Sequence, residues 1–219
     1  MNTVLIDIDG TLFNSNSTFD FLDSLPHGVW YAKYRKFSSS IIGRIINKLS
    51  ISLFHKDIVR IIGVSCLKGY SESQLNLLGE RFYDDFLLPR KNVEILRMLR
   101  EEQNKGSRIV LASATLDFLS RIICTKLNAD SSTATELNYF GGICQGTIAK
   151  DRLGHKREAL ESQKVSFPVD LTITDNVTDV DLLLRSKNKV IVIYPREANK
   201  WKRIKHRYHL ENVKEVYYG

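Results

Sequence analysis

Residues Val4 to Leu12 read Val-Leu-Ile-Asp-Ile-Asp-Gly-Thr-Leu, which places two carboxylates directly after an apolar run. The apolar run predicts a buried strand over residues 3–7. The glycine permits a sharp turn where the strand ends, so the side chains of Asp7 and Asp9 can converge on one point. The stretch therefore predicts a catalytic centre at the carboxyl end of the first strand. The alternative is a strand followed by an ordinary acidic turn.

The composition is that of a globular protein with a full core, since 43% of the 219 residues are apolar and 26% are charged. No run approaches the ~20 apolar residues that a membrane-spanning helix needs. The first predicted strand begins close to Met1, so we expect no signal peptide and a cytoplasmic protein. The three cysteines are widely separated and lack a CxxC spacing, which argues against a disulfide framework or a zinc site.

The pattern along the chain predicts an α/β fold with a helical insertion. Residues 16–88 show helical periodicity and no clear strand. From about residue 89 helices alternate with strands, which is typical of a parallel sheet covered on both faces. Helices are expected near 92–103, 116–127, 154–163, 179–184 and 198–208; strands are expected near 108–112, 171–174, 189–194 and 213–217. The glycines at 141, 142 and 146 predict a hairpin.

Polar side chains lie just after the predicted strands or at the start of a predicted helix. They are Asp7, Asp9, Ser113, Lys156, Asp175 and Asp179. Each has an ordinary explanation alone, as a helix cap, a solvated helix face or a turn residue. Because the carboxyl ends of parallel strands meet at one edge of a sheet, we expect them to surround a single crevice.

These motifs resemble those of the haloacid dehalogenase superfamily, whose members carry a DxDGT motif, a Ser or Thr after a strand, a Lys and an acidic pair. The insertion and the Ser113-Ala114-Thr115 sequence resemble the subgroup that contains phosphoserine phosphatase. The resemblance implies a Rossmann-like parallel-sheet core at 1–15 and 89–219, with an inserted α-helical cap domain at 16–88. Thr174 departs from the family pattern, which commonly has Gly there. Lys150 and Lys164 remain alternatives to Lys156 as the active-site lysine.

The resemblance also implies a Mg²⁺-dependent phosphomonoester hydrolase that forms an aspartyl-phosphate. Asp7 would be the nucleophile and Asp9 the general acid and base. The implied phosphate-binding residues are Thr11, Ser113, Ala114 and Lys156. The implied metal ligands are Asp7, the main-chain carbonyl of Asp9 and Asp175, with Asp179 in support.

The expected partner is a small or medium organic phosphate ester. Phosphoserine phosphatases have a Glu where this chain has Asn16, and a neutral amide cannot pair with an ammonium as a carboxylate does. Three alternatives remain: a phosphoserine phosphatase, a lipid-linked phosphate phosphatase, and a catalytically silent protein that binds phosphate or an anionic surface. The sequence leaves the oligomeric state open.

Two basic segments bear on further partners, because the net charge of +7 favours anions in general. Residues 30–62 hold seven Lys or Arg and one acid, Asp57, among aromatic residues and isoleucines. We favour two amphipathic helices that pack the isoleucines inward, with peripheral contact to an anionic membrane surface as the alternative. Residues 200–207 predict the solvated face of a C-terminal helix, and nucleic acid is not the expected partner.

Overall fold

The sheet places the first strand at its centre. In the computed structural model, which describes residues 1–26, 28–54 and 56–218, the strands are β1 (Thr3–Ile6), β2 (Arg108–Leu116), β3 (Ser131–Phe140), β4 (Ile143–Lys150), β5 (Val169–Thr174), β6 (Ser186–Ile193) and β7 (Val213–Tyr217). Their order is β4-β3-β2-β1-β5-β6-β7. Neighbouring strands are parallel except for the β3–β4 hairpin. The predicted Rossmann-like α/β class is confirmed.

Helices fill the interval between β1 and β2. They are α1 (Ser17–Ser24), α2 (Val29–Ser39), α3 (Ile41–Phe54), α4 (Ile58–Val64) and α5 (Glu72–Phe82), followed by a π-helical turn at Tyr83–Leu87 and a 3-10 turn at Leu88–Arg90. Polar side chains cap four of them, because Asn16, Ser40, Asp57 and Ser71 each accept a hydrogen bond from a backbone N–H in the first turn. His27 and His55, which fall inside the predicted helical insertion, and Gly219 lie outside the described residues.

Five further helices alternate with the later strands, as the sequence pattern predicts. They are α6 (Val93–Asn104), α7 (Asp117–Lys126), α8 (Lys156–Ser162), α9 (Val180–Leu184) and α10 (Ala198–Tyr208). The inserted helices rest on this part of the molecule through aromatic contacts. The ring of Phe21 on α1 lies 5.5 Å from Phe82 on α5 and 5.0 Å from Phe118 on α7. The first edge-on contact joins two helices of the insertion, and the second ties the insertion to α7.

The orientation of α3 differs from the prediction that its isoleucines point inward. Ile41 is 70% exposed and Ile42 is 65% exposed, while Gly43, Asn47 and Ser50 face the protein. The glycine is required for this contact, since a Cβ at residue 43 would lie 2.2 Å from the main-chain oxygen of Phe37. The inward prediction is wrong because small and polar residues, rather than the apolar ones, let α3 approach α2. None of the described helices is long and apolar enough to cross a membrane.

Candidate active site

Asp7 is the first residue beyond β1 and is buried at the centre of the sheet edge. Its main-chain N–H donates to the carbonyl of Ile173 at 2.9 Å, which keeps the chain extended alongside β5. Its carboxylate accepts a hydrogen bond from the N–H of Ile8 at 2.8 Å. Burial raises the pKa of Asp7 well above its usual value, and the neighbouring Lys156 opposes this shift. The acid thus occupies a low-dielectric position where an adjacent cation has a strong effect.

Lys156 provides that cation from the first turn of α8. Its Nζ lies 2.9 Å from Oδ2 of Asp7 and 2.7 Å from Oδ2 of Asp179, and all three side chains are buried. Burial lowers the pKa of Lys156, but the nearby carboxylates of Asp179 and Asp7 together raise it by more. The net shift of the pKa is therefore upward, and the lysine stays charged. The Thr174 hydroxyl donates to the same Asp179 oxygen at 2.9 Å. The residue that departs from the family pattern therefore helps to hold the ion pair.

Asp9 is oriented by the start of α1. Its Oδ1 accepts a hydrogen bond from the N–H of Ser17 at 2.7 Å, at the first residue of the helix. Burial raises the pKa of Asp9, while the hydrogen bond from Ser17 lowers it. The first inserted helix therefore fixes the orientation of the second carboxylate.

Asp175 follows β5 and is held from several sides. The Thr11 hydroxyl donates to its Oδ1 at 3.0 Å and accepts from its main-chain N–H at 2.8 Å. The indole N–H of Trp201, which is fully buried on α10, donates to its main-chain carbonyl at 3.2 Å. Burial raises the pKa of Asp175 to about 6, against the lowering effect of the hydrogen bond from Thr11. The turn after β1 and the C-terminal helix together fix this carboxylate.

Gly10 is the residue that lets the two acidic segments meet. Its φ is +72°, which L side chains rarely adopt, and a Cβ there would lie 2.1 Å from Oδ2 of Asp175. The Tyr194 hydroxyl, just beyond β6, donates to the carbonyl of Gly10 at 2.9 Å. Glycine is thus required here both for the backbone conformation and for the space that Asp175 occupies.

Ser113 and Ala114 lie where the pairing between β2 and β3 shifts register, between Ala112 and Leu116. Ser113 is buried, and its Oγ accepts a hydrogen bond from the N–H of Thr115 at 3.1 Å. The carbonyl of Ala114 accepts from the Thr135 hydroxyl at 2.9 Å. The strand continues to residue 116, beyond the predicted end at 112, and this irregular segment turns the serine toward the other polar residues.

Most of the predicted site residues line one cavity of about 450 Å³: Asp7, Asp9, Ser113, Ala114, Lys156 and Asp175. Asp179 lies behind Lys156, and Thr11 lies behind Asp175 with its hydroxyl engaged there. The structure thus does not bring Thr11 to the cavity as a phosphate contact, because this buried hydroxyl already bonds Asp175 twice. Lys150 pairs with Glu136 on the exposed hairpin, and Lys164 follows α8 at an exposed position, so neither competes with Lys156 for this place.

The cavity wall contains charged and polar residues that the sequence did not indicate. Asp20 on α1, Asp57 and Arg60 at the start of α4, and Tyr194 and Arg196 after β6 all line it. Tyr194 and Arg196 follow a strand end, so the rule that located Ser113 could have found them. Arg60 gave no such signal. It is buried, and its guanidinium donates to Thr135 at 2.6 Å and to Asp151 at 2.8 Å.

The oxygen donors at the centre suit a divalent cation of the Mg²⁺ type. The available donors are the carboxylates of Asp7 and Asp175 and the main-chain carbonyl of Asp9, and Mg²⁺ commonly takes one or two protein carboxylates and completes its shell with water and phosphate oxygens. Within the described part of the chain no three His, Cys, Asp or Glu side chains form a metal-binding group. One buried lysine faces four acidic residues here, Asp7, Asp9, Asp175 and Asp179. A bound cation would offset that excess of negative charge.

Comparison with known proteins supports a relationship over most of the chain. The model of the haloacid dehalogenase-like hydrolase family matches residues 4–184. No curated protein sequence is significantly similar. Among solved structures, a protein of unknown function from Bordetella pertussis Tohama I has a TM-score of 0.70 at 17% identity, covering 98% of this chain and 97% of that one.

Two further structures are similar in fold. A phosphoserine phosphohydrolase-like protein from Francisella tularensis subsp. tularensis SCHU S4 has a TM-score of 0.61 at 16% identity, covering 97% of this chain and 94% of that one. A phospho-aspartyl intermediate analogue of phosphoserine phosphatase has a TM-score of 0.55 at 16% identity, covering 87% and 86%. At these identities the likeness concerns the fold.

Proposed function

Since this chain belongs to the haloacid dehalogenase-like hydrolase family, we propose that it is a Mg²⁺-dependent phosphomonoester hydrolase with Asp7 as the nucleophile. The observation that carries the proposal is the position of Lys156. Its ammonium lies 2.9 Å from the Asp7 carboxylate, inside a cavity that Asp9 and Ser113 also line. A cation placed beside an acid in this way can offset the repulsion between a carboxylate and an incoming phosphate.

The proposed reaction has two steps, in which the residues of this cavity exchange roles. In the first, an oxygen of Asp7 bonds to phosphorus, the ester P–O bond breaks, and Asp9 gives a proton to the leaving alcohol. In the second, Asp9 takes a proton from water, the water oxygen bonds to phosphorus, and Asp7 is released with inorganic phosphate. Ser113 would donate a hydrogen bond to the phosphoryl oxygens. When bound, Mg²⁺ would supply charge neutralisation to the transferred group.

The proposed metal ligands are Asp7, the main-chain carbonyl of Asp9 and Asp175. Asp179 would act one step further out, since its carboxylate holds Lys156. Thr11 and Trp201 would act as positioning residues through Asp175. We assign these roles from the contacts of each residue and from the family to which the chain belongs.

We further propose that residues 16–88 act as the cap, and that 1–15 and 89–219 form the catalytic core. Support comes from the cavity wall, where α1 contributes Phe19 and Asp20 and the start of α4 contributes Asp57 and Arg60. Side chains from the insertion therefore stand where the non-phosphate part of a substrate would lie. This arrangement makes the insertion the source of specificity.

Phosphoserine is not the substrate that these contacts favour. Asn16, at the position of the expected Glu, accepts a hydrogen bond from the N–H of Phe19 and so caps α1. The nearest carboxylate on that helix is Asp20, which accepts hydrogen bonds from the Ser15 hydroxyl and from the N–H of Asn16. Both side chains are used within the local fold, although phosphoserine phosphatases are among the similar structures.

The test is the substitution Asp7→Asn, assayed with an aryl phosphate in the presence and absence of Mg²⁺. We expect the wild-type protein to release phosphate only with the metal, and the variant to fall to background with an unchanged circular dichroism spectrum. Asp181→Asn, at an exposed position of α9, is the matched control and should retain full activity. Undiminished hydrolysis by the Asp7 variant would remove it as the nucleophile. Silence of the wild-type protein across chemically diverse monoesters would favour the catalytically silent binding protein.

A further inference from the structure

The helix α3 presents an apolar face to solvent. This face, called the α3 face below, consists of Ile41, Ile42, Ile45, Ile46, Leu49 and Leu53, each between 45% and 70% exposed. At about 100° per residue these six positions fall within an arc of about 140°, which is the width of a helix face that is normally buried. Contiguous apolar surface of this kind marks an interaction site in a natural protein.

The hydrogen bonds that attach α3 to α4 and the segment before it come from the opposite side of the helix. Its inner side is held by polar contacts: Asn47 accepts a hydrogen bond from the N–H of Val59 at 3.2 Å, and the Ser50 hydroxyl donates to the carbonyl of Lys56 at 2.7 Å. The helix is therefore amphipathic in the reverse sense, with polar and small residues inward. Because the isoleucines and leucines of the α3 face contribute little to packing, another contact must account for them.

The charges around the α3 face indicate what covers it. Arg44 and Lys48 lie at one border of the apolar arc on the same helix, and Lys33 and Lys36 are exposed on the adjacent α2. None of these four has an ion-pair partner among residues 1–26, 28–54 and 56–218. The sole acid in 30–62, Asp57, caps α4 and faces the catalytic cavity. An apolar stripe bordered by unpaired cations suits the interface of an anionic bilayer, where lysine stems follow the apolar surface and their charges meet lipid headgroups.

A second cavity, beside the cationic border of the α3 face, shares one wall residue with the catalytic cavity. It measures about 410 Å³, and Phe19, Arg44 and Lys48 are among the residues that line it. Phe19 also lines the catalytic cavity, so a single side chain belongs to both walls. Arg44 and Lys48, at the border of the α3 face, thus line a cavity that shares Phe19 with the cavity that contains Asp7.

We propose that the α3 face docks on the surface of an anionic lipid bilayer and brings the catalytic cavity to a phosphate monoester held in that bilayer. The proposal of docking is supported by the exposed apolar face of α3 and by the unpaired cations around it. The substrate class rests in addition on the proposed phosphatase function. Docking is peripheral, because the described helices are too short or too polar to span a membrane.

The test of docking is sedimentation of the full chain with phosphatidylcholine vesicles, with and without phosphatidylglycerol. We expect binding to the anionic vesicles that weakens as salt is raised. Leu49→Asp should lower the partition coefficient by at least about tenfold, because it removes apolar area and adds a like charge. Leu77→Asp on α5 is the matched control, since Leu77 is 55% exposed and Leu49 is 54% exposed. It should bind as the wild type does.

Several outcomes would overturn the docking. They are absence of binding to anionic vesicles, equal binding to neutral ones, and equal loss from both leucine variants. Light scattering is run beside the sedimentation. A wild-type dimer that Leu49→Asp converts to a monomer, together with no vesicle binding, would show that a second copy of the chain covers this face instead.

The substrate class is tested by comparing phosphatidate in vesicles with a soluble aryl phosphate. We expect Leu49→Asp to lower kcat/KM about tenfold or more for phosphatidate and to leave the aryl phosphate unaffected. Equal loss on both substrates would overturn the proposal, because the α3 face would then not act through the bilayer. Turnover of the aryl phosphate but not of phosphatidate by the wild type would overturn the substrate class and leave the phosphatase function standing. Silence on both would count against the function itself.

Discussion

The substitution Gly10→Ala tests whether the turn after β1 is needed for activity as well as for stability. The added Cβ would lie 2.1 Å from Oδ2, 2.5 Å from Cγ and 2.9 Å from Oδ1 of Asp175. Restoring an ordinary contact of 3.4 Å to Oδ2 requires a shift of about 1.3 Å (3.4 minus 2.1). The carboxylate cannot move that far without losing its hydrogen bond to Thr11, which is 3.0 Å long. A displacement of about 1 Å in a catalytic group can lower activity by about 10²-fold.

The chain offers a matched control in Gly106, on the turn after α6. Its φ is +73°, against +72° for Gly10, and a Cβ there would meet nothing within 4 Å. Both alanine variants should lose about 1–2 kcal/mol in the free energy of unfolding, because an L residue is strained in the left-handed region. Gly10→Ala should lose more than Gly106→Ala, because it also displaces the Asp175 carboxylate. Only Gly10→Ala should also lose activity, by about 10²-fold in kcat/KM.

The assays are urea unfolding for stability and metal-dependent aryl phosphate hydrolysis for activity. A Gly10→Ala variant as active as Gly106→Ala would refute the reasoning, since it would mean that the position of the Asp175 carboxylate does not matter. Equal activity losses in both variants would assign the effect to general destabilisation instead of the contact with Asp175.

Two further substitutions test the residues behind the cavity. Trp201→Phe keeps an aromatic ring on α10 but removes the hydrogen bond to the carbonyl of Asp175. A metal titration should therefore show a several-fold rise in the Mg²⁺ concentration for half-maximal activity. An unchanged titration would mean that Trp201 acts only in packing. Thr174→Val removes the hydroxyl that donates a hydrogen bond to the Asp179 carboxylate. Measured by urea unfolding, it should lower the free energy of unfolding by about 1–3 kcal/mol. Thr125→Val, on an exposed position of α7, should change it by less than about 0.5 kcal/mol, and equal effects would contradict a special role for Thr174.

The residues after the strands were predictable because strand ends carry a strong sequence signal. An apolar run followed by Asp and Gly indicates where a buried strand stops, and parallel strands bring their carboxyl ends to one edge. Asp7, Asp9, Ser113, Lys156 and Asp175 could therefore be placed around one crevice before any coordinates. Tyr194 obeys the same rule after β6 but carries no charge, so the sequence does not single it out.

Other features depend on contacts between distant segments. Nothing near Arg60 in the sequence indicates that it is buried against Thr135 and Asp151, because both partners lie on elements 75 and 91 residues away. The sequence likewise predicts Thr11 as part of the phosphate site. Its position behind Asp175 depends on the hydrogen bond between the two residues, which are 164 residues apart in the chain. Thr174, which replaces the Gly common in the family, acts through Asp179. Its hydroxyl donates a hydrogen bond to the Asp179 carboxylate that a glycine could not make.

Local pattern thus specifies the strands, the inserted helices and the acidic edge, since periodicity and turn chemistry act over a few residues. It does not specify which face of α3 meets the protein. Periodicity identifies an apolar side of a helix but carries no direction, and the choice between core and solvent is made by the surface against which the helix packs. At α3 that surface accepts Gly43, Asn47 and Ser50, so the apolar side is left outward, as the proposed docking on a bilayer requires.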